Sequence, residues 1–387
     1  MATLPLNSTS VPLFDAKTQV KALQPYLEDA CRRVLLSGQA IGGPEVSALE
    51  QEVADYCGAA AAVACASGSD ALSLSLAALD IGPGDEVVLP PFTFFASAGA
   101  VARCGATPVF ADIEADTYNI DPHQVENKIT PRTKAIMPVH LYGQCCDMEP
   151  LWRVAERHNL PILEDACQAI GSDYQGKRAG TLGSLATLSF YPTKNLGAYG
   201  DGGMVVTNDR DWAEKMIALR NHGSHQRYYH EMMGWNSRLD AMQAAMLRVK
   251  LPYLDKWCDG RAAIAKRYDR LIDEHQLGHL FKKPTVRAYG RHTFHQYVVR
   301  VQSGLRDALR EHLKKDGIGT EVYYPLCLHE QKVFQHLGYK SGDFPISEKA
   351  SHDVMALPMY PELSLDQQKR VVLSCGNFIR SRLRLAA

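Results

Sequence analysis

Between residues 60 and 210, short runs of Val, Ile, Leu and Ala alternate with longer stretches whose apolar residues recur every three or four positions. The runs are Ala62-Val63-Ala64, Glu86-Val87-Val88-Leu89, Pro108-Val109-Phe110, Ala135-Ile136-Met137, Pro161-Ile162-Leu163-Glu164-Asp165, Ala186-Thr187-Leu188-Ser189 and Met204-Val205-Val206-Thr207. Continuously apolar runs of this kind fit strands buried on both faces. The helical period over Asp70 to Leu79, Met148 to His158 and Asp211 to Arg220 fits crossover helices between them. The alternation predicts an α/β protein whose mostly parallel sheet is covered by helices on both faces.

A further helix follows from Leu239, Met242, Ala245, Met246 and Val249, and should end near Pro252. We place the domain change there, with residues 1–250 forming a large α/β domain with an N-terminal arm and 251–387 a small C-terminal domain. The latter mixes helices over Gly260 to His275, Leu305 to Asp316 and Asp366 to Arg384 with short strands such as Gln296 to Arg300, an α+β pattern.

Composition narrows the function. The 387 residues are 46% hydrophobic, enough for a sizeable core, and 42 Lys plus Arg balance 43 Asp plus Glu. That balance offers no positive excess to attract nucleic acid or an anionic membrane, and no apolar run approaches the roughly 20 residues of a membrane span. The start Met1-Ala2-Thr3-Leu4-Pro5-Leu6-Asn7 lacks the basic and apolar regions of a secretory signal, so a cytoplasmic location is expected. Ten cysteines without a Cys-x-x-Cys spacing read as reduced thiols, with Cys65 and Cys167 as small apolar fillers.

Three segments carry candidate chemistry. Ala66-Ser67-Gly68-Ser69-Asp70 lies between a strand and a helix, where backbone N–H groups and hydroxyls can cup a phosphate, although such turns often only cap helices. Leu163-Glu164-Asp165-Ala166-Cys167-Gln168 puts carboxylates at the carboxyl end of a buried strand, the edge at which α/β sheets bind ligands. Lys194 follows the strand ending at Ser189 and precedes the glycine-rich Gly197 to Gly203; a partly desolvated lysine is a carbonyl nucleophile, whereas a solvated one is ordinary. What raises these segments above coincidence is that Ser69, Asp165, Ser189 and Lys194 all fall at strand ends of one sheet.

In these segments, and in Gly43-Pro44-Glu45, Pro91-Phe92-Thr93-Phe94, His140-Leu141-Tyr142-Gly143, Gly234-Trp235-Asn236-Ser237-Arg238 and Tyr324-Pro325, the chain resembles the DegT/DnrJ/EryC1/StrS sugar aminotransferases of fold type I. The resemblance runs from Gly38 to about Pro361. It implies a mostly parallel seven-stranded sheet with helices on both faces and a smaller C-terminal α+β domain. It implies pyridoxal 5'-phosphate as cofactor, with Lys194 as the Schiff-base lysine and proton carrier and Asp165 on the pyridine nitrogen. Phe94 would stack on the ring, Gln168 would lie near its phenolic oxygen, and Gly68, Ser69 and Ser189 would hold the phosphate. Asn236 would reach the phosphate of a neighbouring subunit, giving a homodimer with a shared active site, and Gly38, Arg238 and Tyr324 would face the substrate. The expected reaction moves an amino group from L-glutamate to a keto group of a nucleotide-linked sugar, and the Tyr228-Tyr229-His230 and Tyr323-Tyr324-Pro325 segments lean towards a 3-keto acceptor. Two rivals are a sugar dehydratase of the same fold, whose members carry His in place of Lys194, and a non-catalytic sensor that binds the cofactor. The chain departs from the family at Ala40, where an aromatic residue is frequent, and at Gln168, where many members have His.

Other motifs read as decoys. Gly171 to Lys177 fits Gly-x4-Gly-Lys, but Arg178 stands where a phosphate loop needs Ser or Thr, so the segment is expected to be a turn. His292 and His295 are three apart in an extended segment and point to opposite faces, which disfavours a shared metal but leaves either free to touch a substrate. His222, His225 and His230 lie in a polar loop and read as solvated or dimer-contact residues.

Overall fold

A computed structural model describes residues 10–302 and 304–386; the Met1 to Asn7 segment read above lies outside them. The strands are β1 (Ala61–Cys65), β2 (Glu86–Leu89), β3 (Thr107–Phe110), β4 (Thr133–Ile136), β5 (Leu163–Asp165), β6 (Asp173–Tyr174), β7 (Lys177–Arg178), β8 (Leu185–Ser189), β9 (Gly203–Thr207), β10 (Phe281–Lys282), β11 (Tyr297–Val301) and β12 (Val354–Leu357). The helices are α1 (Lys17–Ser37), α2 (Pro44–Cys57), α3 (Gly68–Ala78), α4 (Ala96–Arg103), α5 (Pro122–Glu126), α6 (Met148–His158), α7 (Arg210–Leu219), α8 (Ala241–Lys250), α9 (Leu254–Glu274), α10 (Arg306–Lys315), α11 (Pro345–Asp353) and α12 (Leu365–Ala386).

All seven predicted runs are strands of one layer. β3-β2-β4 and β5-β8-β9-β1 form two hydrogen-bonded groups, and parallel bridges at Ile136–Ile162 and Val139–Asp165 join β4 to β5. Only β9 runs against its neighbours, so the sheet is mostly parallel as expected. Alternate residues face alternate sides. Ala62, Val88, Ile136, Leu188 and Met204 enter a core with residues of α2, α6 and α8, while Val63, Val87, Ala135, Leu185 and Val205 enter another with α3, α4 and α7. The crossover helices have local reasons to begin and end where they do. The Ser67 hydroxyl caps α3 at Asp70 N, Asp209 caps α7, and α6 buries Leu151, Val154 and Ala155 along one stripe.

After Pro252, in the short turn Leu251–Tyr253, the antiparallel sheet β10-β11-β12 packs with α9, α10 and α12 around a third core. The arm joins this core: Val11 is buried in it, donates N–H to the Gly317 carbonyl and accepts from Gly319 N. The Gly171 to Lys177 segment is a turn: β6 and β7 pair as a tight hairpin across Gln175 and Gly176. No helix among the described residues is long and apolar enough to cross a membrane, and all ten cysteines are free thiols.

Candidate active site

In the register of the sheet, Cys65, Gly203 and Ser189 lie in one row at the edge where β1 and β8 end. The row is packed to the limit. A Cβ on Gly203 would stand 2.3 Å from the Ser67 carbonyl, and one on Gly68 would stand 2.8 Å from Ser189 Cβ and 3.0 Å from Cys167 Sγ. The turn that starts α3 is thereby pressed onto the end of β8. Because Ser67 Oγ takes the Asp70 N–H, the N–H groups of Gly68 and Ser69 remain at the helix start beside the Ser189 hydroxyl, an arrangement suited to a phosphate. A second tie fixes the turn from outside: Ser237 Oγ donates to Asp70 Oδ2 at 2.8 Å and meets Ala66 N at 3.4 Å.

One strand away, Asp165 ends β5 and is 6% exposed. Its Oδ2 accepts from Ser97 Oγ at 2.7 Å and its Oδ1 from Cys167 N at 3.2 Å. Its strand neighbour Glu164 points to the opposite face, fully buried, and accepts from Gly180, Leu182 and Gly183 N–H groups and from His140. Since Cys146 N donates to His140 Nδ1, the ring proton sits on Nε2 and is given to Glu164. That network anchors the strand end that carries Asp165.

Gln168 is pinned at both ends, its Oε1 accepting from Tyr142 N at 2.7 Å and its Nε2 donating to the Tyr324 phenol at 3.0 Å. Burial pushes the Tyr324 phenol up, so it stays protonated with its own O–H still to give. Phe94 leans on Tyr324 with ring centroids 6.0 Å apart and keeps 56% of its surface open. An aromatic face that large left uncovered beside buried polar groups can receive a flat ring.

Lys194 sits half-buried in the loop after β8, its N–H bonded to the Tyr191 carbonyl. Burial lowers its amine below the ordinary lysine range, against the opposing pull of the Cys167 thiol and the Asp165 carboxylate. The neutral, nucleophilic form is correspondingly favoured. The loop is tied down by its neighbours: the Asn195 amide donates to the Thr293 carbonyl, and the buried Lys250 ammonium donates to the Gly197 carbonyl. His295 is buried near Lys194 with an unpartnered Nδ1, and burial, with the charges of Lys194 and Arg261, keeps it neutral.

Of the residues expected at a site, the structure brings Gly68, Ser69, Asp165, Gln168, Ser189, Lys194, Phe94 and Tyr324 to one edge of the sheet. Among the described residues, no hydrogen bond joins Gly38, Asn236 or Arg238 to that group. Gly38 is exposed at the end of α1, Asn236 is exposed and pairs with Asn221, and Arg238 is half-buried with an unpartnered Nε. Sequence reasoning did not single out Thr93, Ser97, Ser237 or Asp70 for roles here. Ser97, three residues past Phe94 and so on the same side of a helical turn, carried the one usable signal.

An amine, a buried carboxylate, a free aromatic face and a helix start beside a serine make a donor set that fits pyridoxal phosphate. The sequence pattern of the DegT/DnrJ/EryC1/StrS aminotransferase family matches residues 23–375. The chain belongs to this family. Its members are aminotransferases that use pyridoxal phosphate. The chain is 50% identical over 371 residues to the pleiotropic regulatory protein of Geobacillus stearothermophilus, covering 96% of this chain and 99% of that one. It is 43% identical over 365 residues to UDP-N-acetyl-3-dehydro-alpha-D-glucosamine 3-aminotransferase of Acidithiobacillus ferrooxidans, covering 94% and 97%. The crystal structure of S. venezuelae DesV in complex with a ketimine intermediate superposes with a TM-score of 0.92 at 43% identity, over 96% of this chain and 99% of that one.

Proposed function

We propose that this aminotransferase moves an amino group from L-glutamate to the 3-keto group of a nucleotide-linked sugar. The observation that carries the reading is the meeting of the half-buried Lys194 amine, which makes no hydrogen bond among the described residues, with the Asp165 carboxylate and the α3 phosphate cup on one sheet edge. The 3-keto acceptor draws support from the relative named a 3-aminotransferase.

When bound, pyridoxal phosphate supplies an electrophilic carbonyl and an electron-withdrawing ring. In our account Gly68, Ser69 and Ser189 would hold the phosphate, Asp165 would keep a proton on the ring nitrogen, and Phe94 would cover one ring face. Gln168, held by Tyr142 and Tyr324, would lie beside the phenolic oxygen. Lys194 Nζ, whose neutral form burial favours, would be the base that takes the proton from the substrate carbon bearing the amino group and carries it during the transfer. Tyr324, with a phenolic proton to give, faces the substrate together with Gly38 and Arg238.

The account also requires a homodimer with a shared site, in which Asn236 reaches the partner's phosphate. Support comes from surface that a lone chain would leave wet: Leu35 at 71%, Leu36 at 76% and Met233 at 92% exposure, the first two on the helix whose following strip bonds to Asp240 and Ala241. The small domain we propose to begin at residue 251 carries Tyr324 and His295 to the cleft. Ten free thiols support a reducing, cytoplasmic location.

The experiment is to incubate the enzyme with glutamate and a panel of nucleotide-linked 3-keto and 4-keto sugars, and to read amino-sugar product by mass spectrometry. Product from the 3-keto members is expected; product from the 4-keto members alone would overturn the acceptor assignment. Mixing Lys194→Ala with Asn236→Ala chains tests the shared site, with recovery of up to about a quarter of native activity expected from random pairing of protomers. No recovery after proven subunit exchange would refute it. The regulatory name of the 50% identical relative favours a sensor as second reading; a sensor would bind the cofactor and leave glutamate unchanged.

A further inference from the structure

We propose that Ser97 and Thr93 are positioning residues for Asp165, a two-hydroxyl relay that fixes the carboxylate and sets how strongly it holds a proton on the cofactor's ring nitrogen. The inference rests on the cofactor reading above and goes beyond it by assigning a function to residues behind the ring.

The relay has a single possible polarity. Ser97 Oγ lies 2.7 Å from Asp165 Oδ2, and an ionised carboxylate can only accept, so Ser97 gives its one hydroxyl proton there. Thr93 Oγ1 lies 3.2 Å from Ser97 Oγ and must therefore be the donor in that pair. Ser97 is fully buried and Thr93 is 2% exposed, which keeps water from substituting for either bond. Local chain geometry makes the arrangement possible. The segment from Thr93 turns into α4, Ser97 N donates to the Phe94 carbonyl, and residues four apart on such a turn face one another.

Both carboxylate oxygens are thus held by neutral donors, Oδ2 by Ser97 and Oδ1 by Cys167 N, and each keeps a second lone pair for a cationic N–H. A hydroxyl that donates to a carboxylate draws negative charge away from the carboxylate's other contacts. Without it the carboxylate becomes a stronger base and a stronger negative neighbour for every proton in the cleft. The turn that offers the Phe94 ring to one face of the cofactor therefore also sets the electrostatics at its nitrogen.

The test uses full-length holoenzyme and follows the pH midpoint of the cofactor's visible band, with kcat and KM for glutamate measured in parallel. For Ser97→Ala we expect the midpoint to rise by about 0.5 to 1 unit, because a more concentrated negative charge retains nearby protons to higher pH, and kcat to fall about tenfold with KM within about twofold. Thr93→Val, which leaves Ser97 bonded to Asp165 but less polarised, should move the midpoint the same way by a smaller amount. A Ser97→Ala enzyme that loads with cofactor and keeps the native midpoint overturns the relay, since a merely structural serine would lower stability without moving that titration. If Ser97→Ala does not load, Thr93→Val decides, and an unmoved midpoint there overturns the proposal. A native enzyme without a visible band would instead overturn the cofactor reading on which both rest.

Discussion

Substituting Ala for Gly68 separates two physical effects of opposite sign. Gly68 opens α3 with an ordinary helical backbone, and on helix propensity alone Ala is favoured over Gly by up to about 1 kcal/mol. The space says otherwise. The new Cβ would stand 2.8 Å from Ser189 Cβ and 3.0 Å from Cys167 Sγ, whereas relaxed carbon contacts lie at about 3.5 to 4.0 Å. Ser189 Cβ is fixed to a central strand, so the start of α3 must retreat by about 0.7 Å or more. Overpacking of this kind costs about 1 to 3 kcal/mol and outweighs the propensity gain. The retreat also widens the gap between the α3 N–H groups and the Ser189 hydroxyl, loosening charge-assisted bonds of about 1.5 to 3 kcal/mol each. Affinity for pyridoxal phosphate, measured by equilibrium dialysis of the apoenzyme, should fall about tenfold or more, with a lower melting temperature. Adding Cys167→Ala should recover little, because the shorter contact is to Ser189. Binding by Gly68→Ala within about twofold of native would refute both the cup and the packing argument.

Two further outcomes follow from buried groups. Glu164→Gln places an amide donor against existing donors whichever oxygen it replaces, since Oε1 receives Leu182 and Gly183 N–H and Oε2 receives Gly180 N–H and His140. Urea unfolding should show a loss of about 2 to 4 kcal/mol, and a loss below about 1 kcal/mol would contradict the assigned network. His292 is stacked on Phe294 and burial pushes its imidazole down to about 3. Between pH 6.5 and about 3 the unfolded chain therefore binds a proton that the folded chain refuses, so this residue makes stability fall on acidification by up to about 1.4 kcal/mol per pH unit. His292→Gln should flatten the stability profile between pH 6 and 5 by about 1 kcal/mol, and an unchanged slope would show that the imidazole takes up its proton in the fold.

The positions of Lys194, Asp165, Gln168 and Ser189 were legible in the sequence because a mostly parallel sheet puts strand ends on one edge, and strand ends can be read from apolar runs. What escaped reading depends on contacts between distant segments. Nothing local to Val11 indicates that it buries itself beside Ile318, and nothing near Ser237 indicates a bond to Asp70, 167 residues away. His292 and His295 were weighed as a metal pair and as possible substrate contacts; their burial, and the nearness of His295 to Lys194, come from the way Thr293 is held by Gly143 and Asn195. Gly38, Asn236 and Arg238 were placed at the site by family resemblance alone, and among the described residues no hydrogen bond ties them to Lys194.

The central claim is that Lys194 makes this site a working transaminase and more than a cofactor store. The most direct measurement is a single turnover without any acceptor, in which holoenzyme is mixed with glutamate while the visible band and 2-oxoglutarate are followed together. The account predicts loss of the band with about one 2-oxoglutarate per site in the native enzyme, and neither change in Lys194→Ala. A persistent band in the native enzyme, or equal 2-oxoglutarate from Lys194→Ala, would contradict it.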